Sequence, residues 1–512
     1  MTEKTHCENG SESGFRVSGV FSDNMVIQRG EPLRVWGFAE GNCEGMRVCG
    51  EFKGTAAETF VRDGRWKLVF DKLFEADSTG AELRVYADVK EIVLENILVG
   101  DVFIVAGQSN AAYTTGEYWS FHPEDDYLCS AKNVTPATPI RLCYTSQNMM
   151  NGVTRRGTLD VAEDIDPGCG GWTQNTVKAA ARFSAVGYIF ATEYFERTGG
   201  NVPVGMVEFD ANGRPLGCFL PNDVARKYNV PVPDNPQYPH EEGVLRCGGL
   251  NGEWCCFMYN EYMHPFRELA VKALLWYQGE SDLPDAQADI YEAAFKDLIA
   301  RMRSTHNLLN RDFPVIFIEF PPIYTQPEGY DGEQPWGFLP IGKIRAIMGG
   351  MTLEGNGIYQ AQSSDLWNDR SFWNNLHPHC KYPQAKRAAE IMCAIEGVPG
   401  YAFDDVSGPM PLSVQKTPDG KGAVIKYKYA GKGLRTSDGA AEVRGFRAVN
   451  AENHLTGGKL SAEITDGDTV TVYAVNELAG ISYNAGDSDT FGEELNLING
   501  ASMPAGAFWV RL

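Results

Sequence analysis

The order of apolar and polar residues changes twice along the chain. Up to about residue 97, apolar and polar positions alternate in short segments such as 66–70 and 82–86, with Gly, Asp or Asn between them. Alternation with a period of two, broken by turn residues at intervals of roughly 8–12 residues, is typical of antiparallel strands. It predicts a small β-sandwich over residues 14–97, preceded by a polar, disordered tail over 1–13.

Between residues 98 and 400, continuous apolar runs alternate with amphipathic stretches. The runs lie at 102–106, 203–207, 271–276, 314–318 and 357–359, and the amphipathic stretches at 186–197, 289–303 and 383–396. Strands that are buried on both faces of a parallel sheet give such runs, and helices between them cover the sheet. This part therefore predicts a doubly wound α/β domain with a parallel sheet, and its aperiodic stretches, 114–172 and 212–262, predict long loops over that sheet.

The alternating pattern returns after residue 401, for example in segments 423–427, 469–473 and 508–512. It predicts a second β-sandwich over 401–512. The expected architecture is thus an α/β domain at 98–400, flanked by N- and C-terminal β-sandwich domains.

Composition excludes several classes of function. The 45 Lys and Arg residues against 67 Asp and Glu give a net charge of −22, which argues against nucleic acid as a partner because such binding needs a basic surface. No apolar run approaches the ~18–20 residues of a membrane span. The start of the chain lacks a basic-then-apolar signal, so we expect a cytoplasmic protein, or a secreted or periplasmic one if a signal has been removed. The 12 scattered cysteines show no zinc-ligand spacing and are expected to be mostly reduced and buried.

Polar residues suited to acyl transfer follow four of the predicted buried strands. Ser109 follows the run at 102–106, Gly213 the run at 203–207, Gln278 and Glu280 the run at 271–276, and His377 comes after the run at 357–359, just ahead of a helix. Ligands bind outside the carboxyl ends of the strands in open α/β sheets. Each residue alone would be an ordinary turn or surface position. Together they supply the nucleophile, base and oxyanion donors that ester hydrolysis needs.

The sequence around these residues resembles the sialate O-acetylesterase family, an SGNH-type group of hydrolases. The segments Gly-Gln-Ser-Asn at 107–110, Trp-Tyr-Gln-Gly-Glu-Ser at 276–281 and Leu-His-Pro at 376–378 resemble its catalytic blocks. Further similarity lies outside them, at 21–29, 35–37, 259–265 and 496–500. The resemblance covers roughly residues 18–512.

The resemblance implies a role for each matched position. Ser109 would be the nucleophile and His377 the general base. The oxyanion donors would be the backbone N–H groups of Ser109 and Gly213 and the side chain of Gln278, and Asn110, beside the nucleophile, would be a substrate-binding position. No cofactor or metal is implied.

The chain departs from the family pattern where the third member of the triad is expected. The family usually has an aspartate two or three residues before the catalytic histidine, where this chain has Asn374 and Asn375. An asparagine can orient an imidazole but cannot stabilise its charged form. Glu280 is the first candidate for the missing acid, and Asp365 and Asp369 are the alternatives.

A second departure concerns the loop expected to face the substrate. The family tends to have Trp-Gly-Gly-Thr there, whereas this chain has Ala-Asn-Gly-Arg at 211–214. The change retains Gly213 and adds Arg214, which could pair with a substrate carboxylate. Trp373 could stack on a sugar ring.

The sequence therefore predicts a serine carbohydrate esterase. It would remove O-acetyl groups from sialic acid, or from another acetylated sugar, through an acetyl-enzyme. Within enzymes, the alternative is an esterase for acetylxylan or another polysaccharide. Since two β-domains flank the core and the triad aspartate is missing, a catalytically weak carbohydrate-binding protein is the alternative from another class.

Overall fold

The structure is a computed structural model of the chain. It describes residues 14–41, 43–88, 90–121, 134–145, 161–165, 171–230, 255–282, 285–320, 341–366, 377–485 and 495–512. The tail predicted at 1–13 lies outside the described residues, as do Asp369, Trp373, Asn374 and Asn375.

The chain forms strands at both ends and alternates strands and helices between them. The strands are β1 (Arg16–Val17), β2 (Val26–Gln28), β3 (Pro32–Phe38), β4 (Arg47–Phe52), β5 (Thr55–Phe60), β6 (Arg65–Leu73), β7 (Asp77–Ala87), β8 (Lys90–Gly107), β9 (Ile140–Cys143), β10 (Trp172–Gln174), β11 (Val204–Asp210), β12 (Ala273–Tyr277), β13 (Val315–Ile318), β14 (Ile358–Ala361), β15 (Met410–Lys416), β16 (Gly422–Lys428), β17 (Arg435–Thr436), β18 (Phe446–Val449), β19 (Leu455–Lys459), β20 (Ser461–Asp466), β21 (Thr469–Tyr473), β22 (Gly480–Tyr483), β23 (Leu497–Ile498) and β24 (Phe508–Arg511). The helices are α1 (Ser109–Ala112), α2 (Thr115–Phe121), α3 (Val177–Arg182), α4 (Ala185–Arg197), α5 (Asn222–Lys227), α6 (Asp285–His306), α7 (Ile341–Met351), α8 (Tyr382–Ile395) and α9 (Phe403–Val406).

A large mixed sheet forms the centre of the molecule, with the strand order β10-β9-β11-β8-β12-β13-β14. The strands from β9 to β14 in this order pair in parallel, and β10 is antiparallel at the edge. Every residue of β11, β12 and β13 is buried, which explains why their sequences are apolar except at Glu208 and Asp210 near the end of β11. The prediction of an α/β fold built on a large sheet is confirmed.

The two stretches predicted to be long loops contain regular structure. The first includes α2 and β9, and β9 is a member of the central sheet. The second includes α5. The loop predictions were wrong at these places because β9 spans only four residues and α5 six, too few to show a period.

Strand β8 joins the N-terminal strands to the central sheet. Its first part pairs antiparallel with β7, and its second part pairs in parallel with β11 and β12. The domain boundary predicted at 97/98 therefore falls inside one continuous strand. The N-terminal strands also form a separate antiparallel sheet, β1-β3-β6.

The C-terminal strands form two four-stranded antiparallel sheets that share an apolar core. Their orders are β15-β16-β21-β20 and β19-β18-β22-β24. Ile425 and Val470 from the first sheet and Phe446, Ile481 and Phe508 from the second belong to the same buried cluster. Along β16, buried and exposed residues alternate, as its sequence predicts.

Most cysteines in the described part of the chain are reduced. Cys43, Cys143, Cys218, Cys256 and Cys393 are buried thiols outside any disulfide, and so are the partly buried Cys49 and the exposed Cys380. Cys255 takes part in a disulfide, which the sequence did not predict. Within the described residues, no helix is both long and apolar enough to cross a membrane.

A buried ion pair fastens the N-terminal segment to β8. Arg29 Nε and Nη2 each donate a 2.8 Å hydrogen bond to the carboxylate of Asp101, which also accepts one of 3.0 Å from Tyr194 OH. Asp101 is fully buried, whereas the Arg29 side chain is 30% exposed. The hydrogen bonds that Arg29 donates to Asp101 outweigh desolvation and raise the pKa of Arg29.

Breaking this pair should destabilise the protein. We expect Asp101→Asn to lower the free energy of unfolding by about 3 kcal/mol, since it leaves the Arg29 charge partly buried without its partner. Urea denaturation followed by circular dichroism measures the change. Glu58→Gln, which breaks an exposed ion pair with Arg47, is the control. It should unfold at the same urea concentration as the wild-type protein. Equal midpoints for Asp101→Asn and this control would contradict the prediction.

Candidate active site

Ser109 lies where the central sheet brings three strand ends together. Gly107, the last residue of β8, is paired with Asp210 in β11 and with Tyr277 in β12. A Cβ atom at position 107 would lie 2.0 Å from the Tyr277 carbonyl oxygen, so only glycine fits. The chain then turns at once into α1, which begins at Ser109. The nucleophile predicted from the sequence is therefore presented at the carboxyl edge of the sheet.

His377 is in hydrogen-bond contact with Ser109, 268 positions away along the chain. Its Nε2 atom lies 2.8 Å from Ser109 Oγ. Burial, and to a smaller extent the positive charges of Lys381 and His379, lower the pKa of His377 to about 4. The imidazole is thus neutral near pH 7 and able to accept the hydroxyl proton of Ser109.

Gln108 ties the nucleophile turn to the loop that follows β12. Its Nε2 donates a 3.0 Å hydrogen bond to Ser281 Oγ, and its Oε1 accepts one of 3.1 Å from Ser281 N. Its backbone N–H donates to the Tyr277 carbonyl oxygen at 3.1 Å. The two sequence blocks that carry the family resemblance are therefore in direct contact.

Gln278 is fully buried and holds the loop that carries Gly213. Its Nε2 donates to the backbone oxygen of Arg214 at 3.1 Å and to the carboxylate of Asp282. Its Oε1 accepts a 2.9 Å bond from Tyr291 OH. The side chain fixes the loop in place, and its predicted contact with the oxyanion stays a prediction.

Two further backbone N–H groups fix the Gly213 loop beside Ser109. Ala211 N donates to the Gly107 carbonyl oxygen at 3.1 Å, and Leu216 N donates to Asp282 at 3.0 and 3.2 Å. Gly213 lies between these anchors with a φ of 68°, which favours glycine. The loop is thus held at both ends next to the turn that bears Ser109.

Glu280 contacts the nucleophile helix through Asn110. Asn110 Nδ2 donates a 2.6 Å hydrogen bond to Glu280 Oε1, and Asn110 Oδ1 accepts one of 2.5 Å from Lys381 Nζ. Burial raises the pKa of Glu280 to about 7, and the bond from Asn110 opposes that rise. The role of triad acid, assigned to Glu280 from the sequence, stays a prediction. Asp365, an alternative acid, is paired with Arg387 by two bonds of 2.7 Å.

Sequence reasoning missed Lys381 and Asp282. Both are charged residues close to a motif: Lys381 comes four residues after His377, and Asp282 directly follows the block at 276–281. Both are nevertheless buried in the structure. The sequence does show a charged residue next to each block. Nothing in it, however, distinguishes a buried charged residue at such a position from an exposed one at the end of a helix.

Arg214 is close to this group and only 9% exposed. Its guanidinium carbon lies 5.4 Å from the centre of the Phe257 ring, within the range of a cation–π contact. Trp373, the predicted sugar-stacking residue, is outside the described residues. Across the described parts of the chain, His, Cys, Asp and Glu side chains nowhere cluster in threes as a metal ion requires.

Comparison with known proteins shows which proteins the chain is similar to. Residues 99–328 match the family model of the carbohydrate esterase, sialic acid-specific acetylesterase. The human sialate O-acetylesterase is 21% identical over 435 residues, or 78% of this chain and 74% of the human protein. The rat protein is 23% identical over 465 residues, or 79% of this chain and 78% of the relative. The crystal structure of a carbohydrate acetylesterase from Xanthomonas citri superimposes with a TM-score of 0.68 at 22% identity, covering 97% of this chain and 99% of that one.

The chain is therefore an ester hydrolase of the carbohydrate esterase class. By the family-model match and by these relatives, the chain is similar to sialate O-acetylesterases, which confirms the resemblance found in its motifs.

The buried carboxyl group of Asp282 predicts a pH-dependent change in stability. Burial raises its pKa to about 7 in the folded protein, against an ordinary value near 4, so the folded state retains a proton that the unfolded state releases. This group therefore makes stability fall as the pH rises from about 4 to about 7. Asp282→Asn removes this pH dependence of stability. Each unit by which the folded-state pKa exceeds the unfolded-state pKa changes the free energy of unfolding by about 1.4 kcal/mol.

Urea denaturation of both proteins at several pH values tests this prediction. The free energy of unfolding of Asp282→Asn, relative to the wild type, should rise between pH 4 and pH 8. A difference that is constant with pH would contradict the raised pKa.

Proposed function

We propose that the protein hydrolyses O-acetyl esters of sugars by a serine–histidine mechanism. The observation that carries this proposal is the 2.8 Å contact between His377 Nε2 and Ser109 Oγ at the carboxyl edge of the sheet. A neutral imidazole in this position can take the hydroxyl proton as Ser109 Oγ attacks the acetyl carbonyl carbon.

In the proposed reaction the tetrahedral oxyanion is bound by the backbone N–H groups of Ser109 and Gly213. The Gln278 side chain joins them by exchanging one of its Nε2 bonds, to Arg214 or to Asp282, for a bond to the oxyanion. The imidazolium of His377 then protonates the sugar alkoxide as it leaves, and an acetyl-enzyme remains on Ser109. His377 next accepts a proton from a water molecule that attacks the acetyl carbonyl, which releases acetate and frees the serine. No step of this mechanism uses a cofactor or a metal.

We further propose an O-acetylated sialic acid as the preferred substrate. The relatives that match over most of this chain are named for sialate esters. Sialic acid carries a carboxylate, and the guanidinium of Arg214 is part of the loop that carries Gly213. Because the protein has a net charge of −22, an anionic sugar needs a local cation to bind.

We also propose that the central domain is an SGNH-type hydrolase domain, with β-sandwich domains on either side.

Ser109 and His377 should both be required for turnover. Ser109→Ala and His377→Ala are each expected to lower kcat for p-nitrophenyl acetate by at least ~10³-fold, because the two groups act as a unit. Ser304→Ala and His454→Ala, which change exposed residues far along the chain, are the matched controls and should keep wild-type rates. Wild-type turnover by either active-site variant would remove the serine–histidine mechanism, whereas no turnover by the wild-type protein would leave a carbohydrate-binding protein as the better explanation.

Arg214 should select the substrate. Loss of a buried charge partner costs ~2–5 kcal/mol, so Arg214→Ala should lower kcat/KM for an O-acetylated sialic acid by ~30-fold or more. The same variant should hydrolyse p-nitrophenyl acetate at a nearly wild-type rate, since that ester has no carboxylate.

The exposed Arg226, on α5, offers the control variant Arg226→Ala. Equal losses on both esters would show that Arg214 supports the loop instead of the substrate. A wild-type preference for acetylxylan would overturn the substrate assignment while leaving the esterase mechanism intact.

A further inference from the structure

Lys381 is a fully buried lysine at the start of α8, four residues after His377. An ammonium group removed from water is costly unless it is paired and hydrogen-bonded. Burial lowers the pKa of Lys381 to about 7, and the negative charge of Glu280 opposes that shift. The serine–histidine mechanism makes no use of this residue.

The contacts of Lys381 join three segments of the active site. Its Nζ donates to Asn110 Oδ1 at 2.5 Å and lies 4.9 Å from the Tyr113 ring and 5.7 Å from the Tyr277 ring. Asn110 in turn donates to Glu280 Oε1 at 2.6 Å. One line of hydrogen bonds thus connects the helix that begins at Ser109, the segment after His377 and the end of β12.

We propose that Lys381 is a positioning residue for ester hydrolysis: its hydrogen bond to Asn110 holds the Ser109 turn in place beside His377. The inference rests on the proposed function, because it assigns Lys381 a task in the serine–histidine mechanism. In this arrangement the negative charge of Glu280 compensates the positive charge of Lys381, and Asn110 is hydrogen-bonded to both side chains.

The charges around the two titrating groups determine the expected pH effect. Glu280, Glu117 on α2 and the neighbouring Cys380 act on Lys381, and Lys381 and His379 act on His377. Since Lys381 lowers the pKa of His377, removing its charge should raise that pKa. The acid limb of kcat/KM, which reports the free enzyme, should then move to higher pH.

The test uses Lys381→Met, a variant of similar length without the charge. We expect kcat for p-nitrophenyl acetate to fall by ~10²-fold, because misplacing a catalytic group by about 1 Å has an effect of this size, with KM changed by less than about threefold. We also expect the acid limb of kcat/KM to move to higher pH. Lys386→Met on the same helix, where the side chain is 37% exposed, is the matched control and should move neither quantity.

The double variant Lys381→Met/Glu280→Gln keeps the test valid if the single variant does not fold, since neither charge is then buried alone. It should fold, show the shifted acid limb and lose no more activity than the worse single variant. A loss equal to the product of the two single losses would mean that Glu280 acts independently, as a triad acid, and would overturn the pairing proposed here.

An acid limb at the wild-type pH in the folded variants overturns the proposal even if kcat falls, because a purely structural lysine would give that result. An unchanged kcat overturns it too. The proposed function is tested separately in the wild type: if hydrolysis does not depend on Ser109, that mechanism fails before any Lys381 variant is measured.

Discussion

The close approach of β8 and β12 at Gly107 is the constraint on which the active site depends. There the absent side chain lets the Tyr277 carbonyl oxygen accept a hydrogen bond from Gln108 N at 3.1 Å. Because the ends of β8, β11 and β12 are level, the residues after each strand meet at one edge of the sheet. Gln108 then connects two of these loops, and the Gly213 loop is fastened to Gly107 itself.

Buried charges and amides, more than exposed ones, hold this site together. Glu280, Asp282 and Lys381 are all buried, and each has its pKa shifted towards the neutral form by desolvation. Buried polar groups of this kind are stable only when hydrogen bonds satisfy them, and here those bonds link separate loops. These bonds also hold Ser109 and His377 in contact, which is the preorganisation that the proposed acyl transfer requires.

The parts of this protein that depend on periodicity could be predicted from its sequence. The apolar runs of β11, β12 and β13 indicated a central sheet, and the residues after β8 and β12 indicated where chemistry would lie. The short strand β9 could not be found, since four residues carry no measurable period. Lys381 and Asp282 were missed for a different reason: whether a charged residue next to a motif is buried depends on tertiary packing. The bond between Asn110 and Glu280 likewise joins residues 170 positions apart.

The most direct test of the central claim is to trap the covalent intermediate. The protein is mixed rapidly with p-nitrophenyl acetate, quenched in acid and digested, and the site of acetylation is located by peptide mass spectrometry. The account predicts one acetyl group, on Ser109, which forms with the burst of p-nitrophenolate and is absent from Ser109→Ala. An acetyl group on another residue, or a burst that persists in Ser109→Ala, would contradict it.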